Sequence, residues 1–455
     1  MDNEVVIEGP VAETATSRPV SFAGGELGTT ERTAGLAWID AAELADRGYV
    51  EEEYFIIGSA DALDPDGVRI ARDIAYKTRF LVRRPIDAER ASGSVFLDPL
   101  HMINEMPASW SSAEWLMANG HAWVGVTVHN SSFGRLFGFD GGLAALQQAG
   151  GDRYGDLRLD EFDRPPRVRS YVGPAGTDSV ALRWNMEMAH PQGHPIVAAV
   201  ARALKEGPLL GGRPAERIYA CGVSQTGNFW RSFLDHGWHE VTREIDGGPA
   251  IAAYVIIVGP PPGHRPPDAV LVNVLSEAEV VGTIIQMRAV AAEDSELPRV
   301  RGIELPGAPH TLTPGGADGN DRGHRHAGLP YEAFVRAVYA NLDTWVRGGP
   351  SMPHVPRILR NTGAIDGVAR DEYGNALGGL RAPWLEAPRA QYLPRCPCSP
   401  TVGEAIPFTD EVLATLYATD AVHARQWDRA VQRLIEDRLL LTQDAPELTA
   451  LRPSL

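Results

Sequence analysis

Cysteine is scarce in this 455-residue chain, which has only Cys221, Cys396 and Cys398. Three thiols are too few for a disulfide-framed scaffold or a four-thiolate zinc site. Cys396 and Cys398 stand one residue apart, a spacing that does not favour a disulfide, so a reducing cytoplasm is the expected compartment. Basic charge is also short: 42 Lys and Arg against 59 Asp and Glu give a formal net charge of −17. That balance argues against nucleic acid or an anionic membrane surface as partner and suits a neutral substrate. No apolar run approaches the roughly 18 residues of a membrane span. Met1-Asp2-Asn3-Glu4 lacks the basic region and apolar stretch of a signal peptide, so export is not expected. There is no internal repeat. The 13 histidines form no pair at ligand spacing on an evident helix, and the nearest approach, His324 and His326, has no third partner. No metal and no cofactor are therefore expected.

What the chain does have is a succession of short apolar runs separated by helical patterns. Residues 49–58 and 76–85 mix polar and apolar residues and read as early, partly exposed antiparallel strands. Ser94–Leu97, Ala122–Val128, Tyr254–Val258 and Ala269–Leu275 are of the buried parallel type, with a helical pattern over Ser112–Ala118. Strands alternating with helices predict an α/β fold with a mostly parallel sheet covered on both faces. Residues 1–35 suit an outer strand or an ordered arm, and two helices, 412–417 extended and 421–441, close the chain. The stretch from 131 breaks the pattern with Gly, Arg, Asp and Phe. It reads as a cap or lid, bounded at 131–200, inserted into a single domain spanning 1–455 over the sheet's C-terminal edge, where open α/β folds bind ligands.

The chemistry centres on residues 218–234. A short strand, Ile218–Cys221, runs into Gly222-Val223-Ser224-Gln225-Thr226-Gly227 and then a helical stretch from Phe229. Strand, tight turn with serine at the apex, then helix is the context of a nucleophile elbow, and it aims a helix N-terminus at a developing oxyanion. Thr226 stands where Gly-x-Ser-x-Gly has its second glycine. A serine nucleophile needs a base, and the base needs an acid. Ala269–Leu275 ends in Ser276-Glu277-Ala278-Glu279, so either glutamate is at a strand end, with Glu279 favoured by its spacing. Val300–Leu305 is followed by Pro306-Gly307-Ala308-Pro309-His310, a histidine in a loop after the last strand. The order strand–Ser224, strand–Glu279, strand–His310 is what a triad on this fold requires. The oxyanion hole calls for the backbone N–H of Gln225 and a second donor from Leu100, His101 or Met102 in the loop after Ser94–Leu97. His101 could instead line the substrate pocket.

These segments resemble the bacterial alpha/beta hydrolase domain family, whose elbow reads Gly-x-Ser-Gln-Ser-Gly. Glu52-Glu53-Tyr54-Phe55, Thr78-Arg79 and Arg83-Arg84-Pro85 match its early strands. Glu277-x-Glu279 stands where the family has Glu-x-Asp or Glu-x-Glu, and Gly307-Ala308-Pro309-His310 where it has Gly-x-x-His. Asp371-Glu372-Tyr373-Gly374-Asn375 through Pro383 matches a characteristic late segment, so the resemblance covers roughly 50–440. Asp98-Pro99-Leu100-His101 differs from the family's Glu-Trp-Leu-Asn-like stretch. The resemblance implies an alpha/beta-hydrolase fold and carboxylic ester hydrolysis. Some hydrolases that open the macrocyclic lactone of zearalenone also look similar to this chain.

The expected function is a cofactor-independent esterase or lactonase acting on a small molecule. Phe137, with Phe133, Leu136 and Phe139, is a candidate wall for a bulky apolar substrate. An acyltransferase or peptidase on the same triad, a non-catalytic binding protein on this scaffold and a homo-oligomeric assembly stay open.

Overall fold

The computed structural model describes residues 5–12, 41–101, 105, 107–129, 142–143, 146–147, 151–160, 162, 187–282, 298–312, 329–397 and 401–452. They fall into two compact units, one reaching to Leu271 and the other beginning at Val272.

The first unit carries β1 (Val6–Glu8), β2 (Tyr49–Leu63), β3 (Arg69–Pro85), β4 (Ser94–Pro99), β5 (Ala122–Val126), β6 (Arg217–Val223) and β7 (Ala253–Ile257). Their order in the sheet is β1-β2-β3-β5-β4-β6-β7. The strands from β1 to β5 pair antiparallel, and β5-β4-β6-β7 are parallel. Every residue of β4, β5 and β7 is buried, as near-continuous apolar runs require of strands covered on both sides. From β4 the chain passes to β5 on one side, and β6 then takes the other side. That makes the carboxyl ends of β4 and β6 a topological switch point, where open α/β sheets place their ligands.

The expected antiparallel pair is present but longer than its apolar core suggests, with Tyr49 opposite Pro85 and Leu63 opposite Arg69. Its polar residues are not all turned to solvent. Glu53, Arg79 and Arg83 are buried and paired, and Arg83 also lies over the rings of Trp110 and Trp123. The helix Gly193–Glu206, amphipathic and largely buried, begins inside the span 131–200. Phe133, Leu136, Phe137 and Phe139 lie outside the described residues, as do Met102, His324 and His326.

The second unit takes over within β8 (Val270–Ser276) and continues through β9 (Val300–Leu305) and the helix Glu332–Val346. The sequence reading passed over that helix, although its burial recurs at helical spacing: Phe334, Val335, Val338, Tyr339 and Leu342 are buried. Residues 358–378 fold back through bridges at Ile358–Gly378, Arg360–Val368 and Arg370–Ala376. Glu304 of β9 holds this return, accepting the Ile358 N–H at 2.9 Å and an Arg360 N–H at 2.8 Å. The hairpin of β10 (Ala390–Leu393) and β11 (Glu404–Pro407) follows, then the helices Asp410–Leu416 and Asp420–Glu436 near the two expected, and a further short helix, Ala445–Ala450, that was not expected. One expectation is corrected: Cys396 is disulfide-bonded, and among the described residues the free cysteine is Cys221. The Cys396 N–H donates to the Val402 carbonyl, so the chain turns here, and spacing along an extended chain is not the measure of a thiol's reach. Cys221 is a buried core residue as expected, and burial pushes its thiol up.

Asp98, at the end of β4, gives this fold a pH dependence. Its Oδ2 accepts the Ser109 N–H, the Ser109 hydroxyl and the Trp123 Nε1–H, each at 2.8 Å, while Oδ1 has no hydrogen-bond partner among the described residues. Burial outweighs those donors and pushes the carboxyl up to about 7. The folded value is thus above the unfolded one, near 3.9. The stabilisation it brings is complete below about pH 4 and is lost as pH rises through about 7. The unfolding free energy of the wild type relative to Asp98→Asn should therefore fall by about 4 kcal/mol from pH 4 to 8. A pH-independent difference in urea denaturation would contradict this.

Candidate active site

In the first unit, β6 ends at Val223 and the helix Gln225–Asp235 starts two residues later, with Ser224 between them at φ 55°, ψ −113°. A non-glycine residue there is strained, and it persists only where its surroundings fix it. They do. The Ser224 N–H donates to the Ile257 carbonyl at 2.9 Å, and the Ser224 carbonyl accepts the Asn228 N–H at 2.9 Å. Gly222 is required by close approach, since a Cβ there would lie 2.3 Å from the Thr226 carbonyl oxygen. Thr226 completes the turn. Its Oγ1 accepts the Val223 N–H at 2.9 Å and donates to the Val223 carbonyl at 3.0 Å. Behind the turn, the Trp230 indole donates to the Cys221 carbonyl at 2.8 Å.

Gln225 is fully buried at the start of that helix. Its side chain lies against His129, beyond the end of β5, and His129 also meets the Leu100 backbone. Burial holds the His129 imidazole down to about 4, so it is neutral at ordinary pH. Of the three candidates for the second oxyanion donor, Leu100 drops out, because its N–H is given to the Val126 carbonyl at 2.9 Å. His101 is buried two residues past β4.

The second unit brings the other two candidates together. Ser276 caps the helix Glu277–Val281 in a capping box with Glu279. Glu279 Oε2 accepts from the Ser276 hydroxyl at 2.6 Å and the Ser276 N–H at 3.1 Å. Its Oε1 is 2.6 Å from Nδ1 of His310. An ionised Glu279 makes that nitrogen the protonated one and leaves the lone pair on Nε2, the tautomer a general base needs.

Glu277, the alternative acid, is otherwise engaged. Its side chain is wholly buried, Oε2 accepts the Gly307 N–H at 2.6 Å, and Oε1 accepts from Arg370 at 2.6 Å. Burial pushes its carboxyl up and Arg370 draws it back. Gly307 sits at φ 73°. The carboxylate therefore holds the turn that leads to His310, and Tyr331 reinforces it by donating to the Pro306 carbonyl at 3.1 Å. Sequence reasoning did not assign Glu277 or Arg370 this task. The signal was that two glutamates fall at one strand end, where a single triad acid suffices. Among the described residues, no three His, Cys, Asp or Glu side chains are grouped to hold a metal, and no helix is long and apolar enough to cross a membrane.

A family model described as an alpha/beta hydrolase domain matches residues 7–450. No curated protein matches the sequence. Solved structures that it resembles include a dienelactone hydrolase-like promiscuous phosphotriesterase from metagenomic libraries. It is 11% identical over 66% of this chain and 98% of the other, with a TM-score of 0.30. A cold-adapted esterase from an Arctic intertidal metagenomic library is 11% identical over 58% and 88%, with a TM-score of 0.26. The rice cell wall degrading esterase LipA from Xanthomonas oryzae is 9% identical over 49% and 47%, with a TM-score of 0.23.

The two glutamates should separate by stability. Glutamine at 279 still closes the capping box, so Glu279→Gln should leave the unfolding free energy within about 1 kcal/mol of wild type. Glu277→Gln takes the charge from a buried pair with Arg370 and should cost about 3 kcal/mol. Chemical denaturation of the two variants checks the order, and a reversed order would show the pinning role to be wrong.

Proposed function

Because this chain belongs to the alpha/beta hydrolase domain family, we propose that it is a serine hydrolase cleaving a carboxylic ester or lactone through Ser224, His310 and Glu279. The observation that carries the reading is the 2.6 Å bond between Glu279 and His310 Nδ1. With it stands the strained elbow that presents Ser224. In this mechanism the Ser224 hydroxyl attacks the acyl carbon and His310 Nε2 takes its proton. The tetrahedral oxyanion is received by the Gln225 N–H, at the start of an eleven-residue helix, and by a donor from the loop after β4, for which His101 is our assignment. Collapse expels the alkoxide, which takes the proton from His310, and leaves an acyl-enzyme. Water, deprotonated by His310, then attacks the acyl carbon, and the second collapse breaks the bond to Ser224, whose oxygen takes the proton back from His310 as the acid leaves. Glu279 orients the imidazole and stabilises its cationic form throughout. In a lactone the leaving alcohol stays tethered to the acyl group.

The substrate in this reading is bulky, uncharged and apolar, with a macrolactone such as zearalenone as the specific candidate and Phe137 as one wall. The negative net charge disfavours anionic esters. Single-domain organisation with a cap fits a family match that runs through 7–450. A cytoplasmic location remains part of the reading, although the Cys396 disulfide favours an oxidising compartment.

Ser224→Ala should remove turnover by several orders of magnitude and abolish labelling by a fluorophosphonate, with the circular dichroism spectrum unchanged. Near-wild-type hydrolysis by the folded variant would rule the serine mechanism out. An unlabelled, inactive wild type would favour a binding protein on this scaffold. For the substrate, kcat/KM should rank a resorcylic macrolactone above a short acetate and a charged ester, and Phe137→Ala should narrow the gap. An acetate preference indifferent to Phe137→Ala would refute the apolar pocket.

A further inference from the structure

A peptide plane lies on each side of Ser224, and the second carries the N–H that the hydrolytic scheme assigns to the oxyanion. The Ser224 carbonyl and the Gln225 N–H belong to one planar trans unit and point in opposite directions along it. Whatever fixes that carbonyl therefore aims that N–H. The torsion that turns the plane is ψ of Ser224, which stands at −113° beside φ 55°. This pair of angles falls in neither the right-handed nor the left-handed helical well, so the local backbone does not hold the plane by itself.

Asn228 holds it. The Ser224 carbonyl accepts the Asn228 N–H at 2.9 Å and an Nδ2–H of the same residue at 3.2 Å. The first bond is the ordinary opening bond of a helix, open to any residue but proline. The second belongs to this side chain alone. An amide presents oxygen and nitrogen in nearly the same shape, so its orientation is assigned from its partners. Here the partner is Arg231. A guanidinium can only donate, and its Nε–H gives to Asn228 Oδ1 at 3.4 Å, which leaves Nδ2 for the carbonyl. Arg231 is placed in turn by Glu187 Oε1 at 3.1 Å and Asp235 Oδ2 at 3.2 Å. Asn228 is buried, which makes each bond of its amide costly to lose. All of these groups lie in the first unit.

We propose that Asn228, oriented by Arg231, is a positioning residue that fixes the Ser224–Gln225 peptide and so aims the Gln225 N–H at the oxyanion. The inference rests on the hydrolase reading above, and neither residue touches the reacting atoms. Losing the Asn228 donor weakens stabilisation of the tetrahedral state and leaves ground-state binding in place.

The decisive variant is Asn228→Asp. It keeps the shape of the side chain and its tie to Arg231, but it turns a lone pair on the Ser224 carbonyl in place of an N–H. We would measure kcat and KM on an activated ester, inhibition by an alkyl boronic acid that forms a tetrahedral adduct, and thermal unfolding. The misdirected peptide should lower kcat roughly ten- to a hundred-fold. KM should be nearly unchanged, and boronate affinity should fall by the factor lost in kcat/KM. Arg231→Met should show the same pattern at smaller amplitude, and should add nothing in an Asn228→Ala background, because it acts through the amide. Wild-type kcat and boronate affinity in folded Asn228→Asp would overturn the proposal. So would a loss of kcat without loss of boronate affinity, or one that tracks unfolding and vanishes on cooling. An Arg231→Met effect undiminished in the Asn228→Ala background would overturn the part given to Arg231. If Asn228→Asp does not fold, Asn228→Ala, which only deletes the amide, decides by the same measurements. Activity surviving Ser224→Ala would instead defeat the serine reading itself. A dead Ser224→Ala protein beside an unaffected Asn228→Asp protein would defeat only this inference.

Discussion

A carboxylate taken out of water must be met by protein donors, and in this molecule that demand organises the loops. Asp98 receives the Ser109 N–H, Glu277 the Gly307 N–H, Glu304 the Ile358 N–H and Glu279 the Ser276 N–H. In the first three a buried acid in a strand or just beyond it accepts from the backbone of a segment between strands, and in the fourth from the strand end that caps its own helix. A main-chain donor cannot be moved without moving the chain, so each contact fixes a loop path as well as satisfying a charge. Arg360 supplies countercharge to Glu304 and Arg370 to Glu277, beside the backbone N–H that each accepts.

This arrangement suits chemistry whose catalytic advantage lies in dipoles and protons held in place before the reaction starts. Ser224 is presented by a turn whose strained backbone is held by the Ile257 and Asn228 hydrogen bonds. His310 follows a turn that Glu277 holds, and its imidazole is bonded to Glu279. The two neighbouring glutamates divide the work: one carboxylate fixes the backbone of the histidine loop, and the other fixes the orientation of the imidazole.

Much of this was legible in the sequence, because the responsible signals are local. The apolar runs of β4, β7, β8 and β9 announce buried strands within a residue or two of their observed bounds. The glycine and serine spacing announces the strand–turn–helix around Ser224, and the strand ends ahead of Glu279 and His310 announce where those two residues fall in the chain order. What could not be read depends on partners far apart in the chain. Arg370 meets Glu277 across 93 positions, and Arg153 meets Glu53 across 100. Polar residues in β2 and β3 look solvent-facing until those partners are known. Cys396 is a different case: the local spacing was visible and misled, because the turn that ends on Val402 was not.

Thr226 bears on how this protein can drift in sequence. Its hydroxyl both gives to and takes from Val223, closing a small ring around Ser224. The position is thus constrained in polarity more than in bulk. Serine would keep the ring. Valine, nearly the same shape, would leave a backbone N–H and a carbonyl without their partner, and glycine or alanine would surrender the clamp altogether. Variation at this position beside Ser224 should therefore run between the two small hydroxyl residues, and a lineage that lost the hydroxyl would need another donor and acceptor to keep the turn closed.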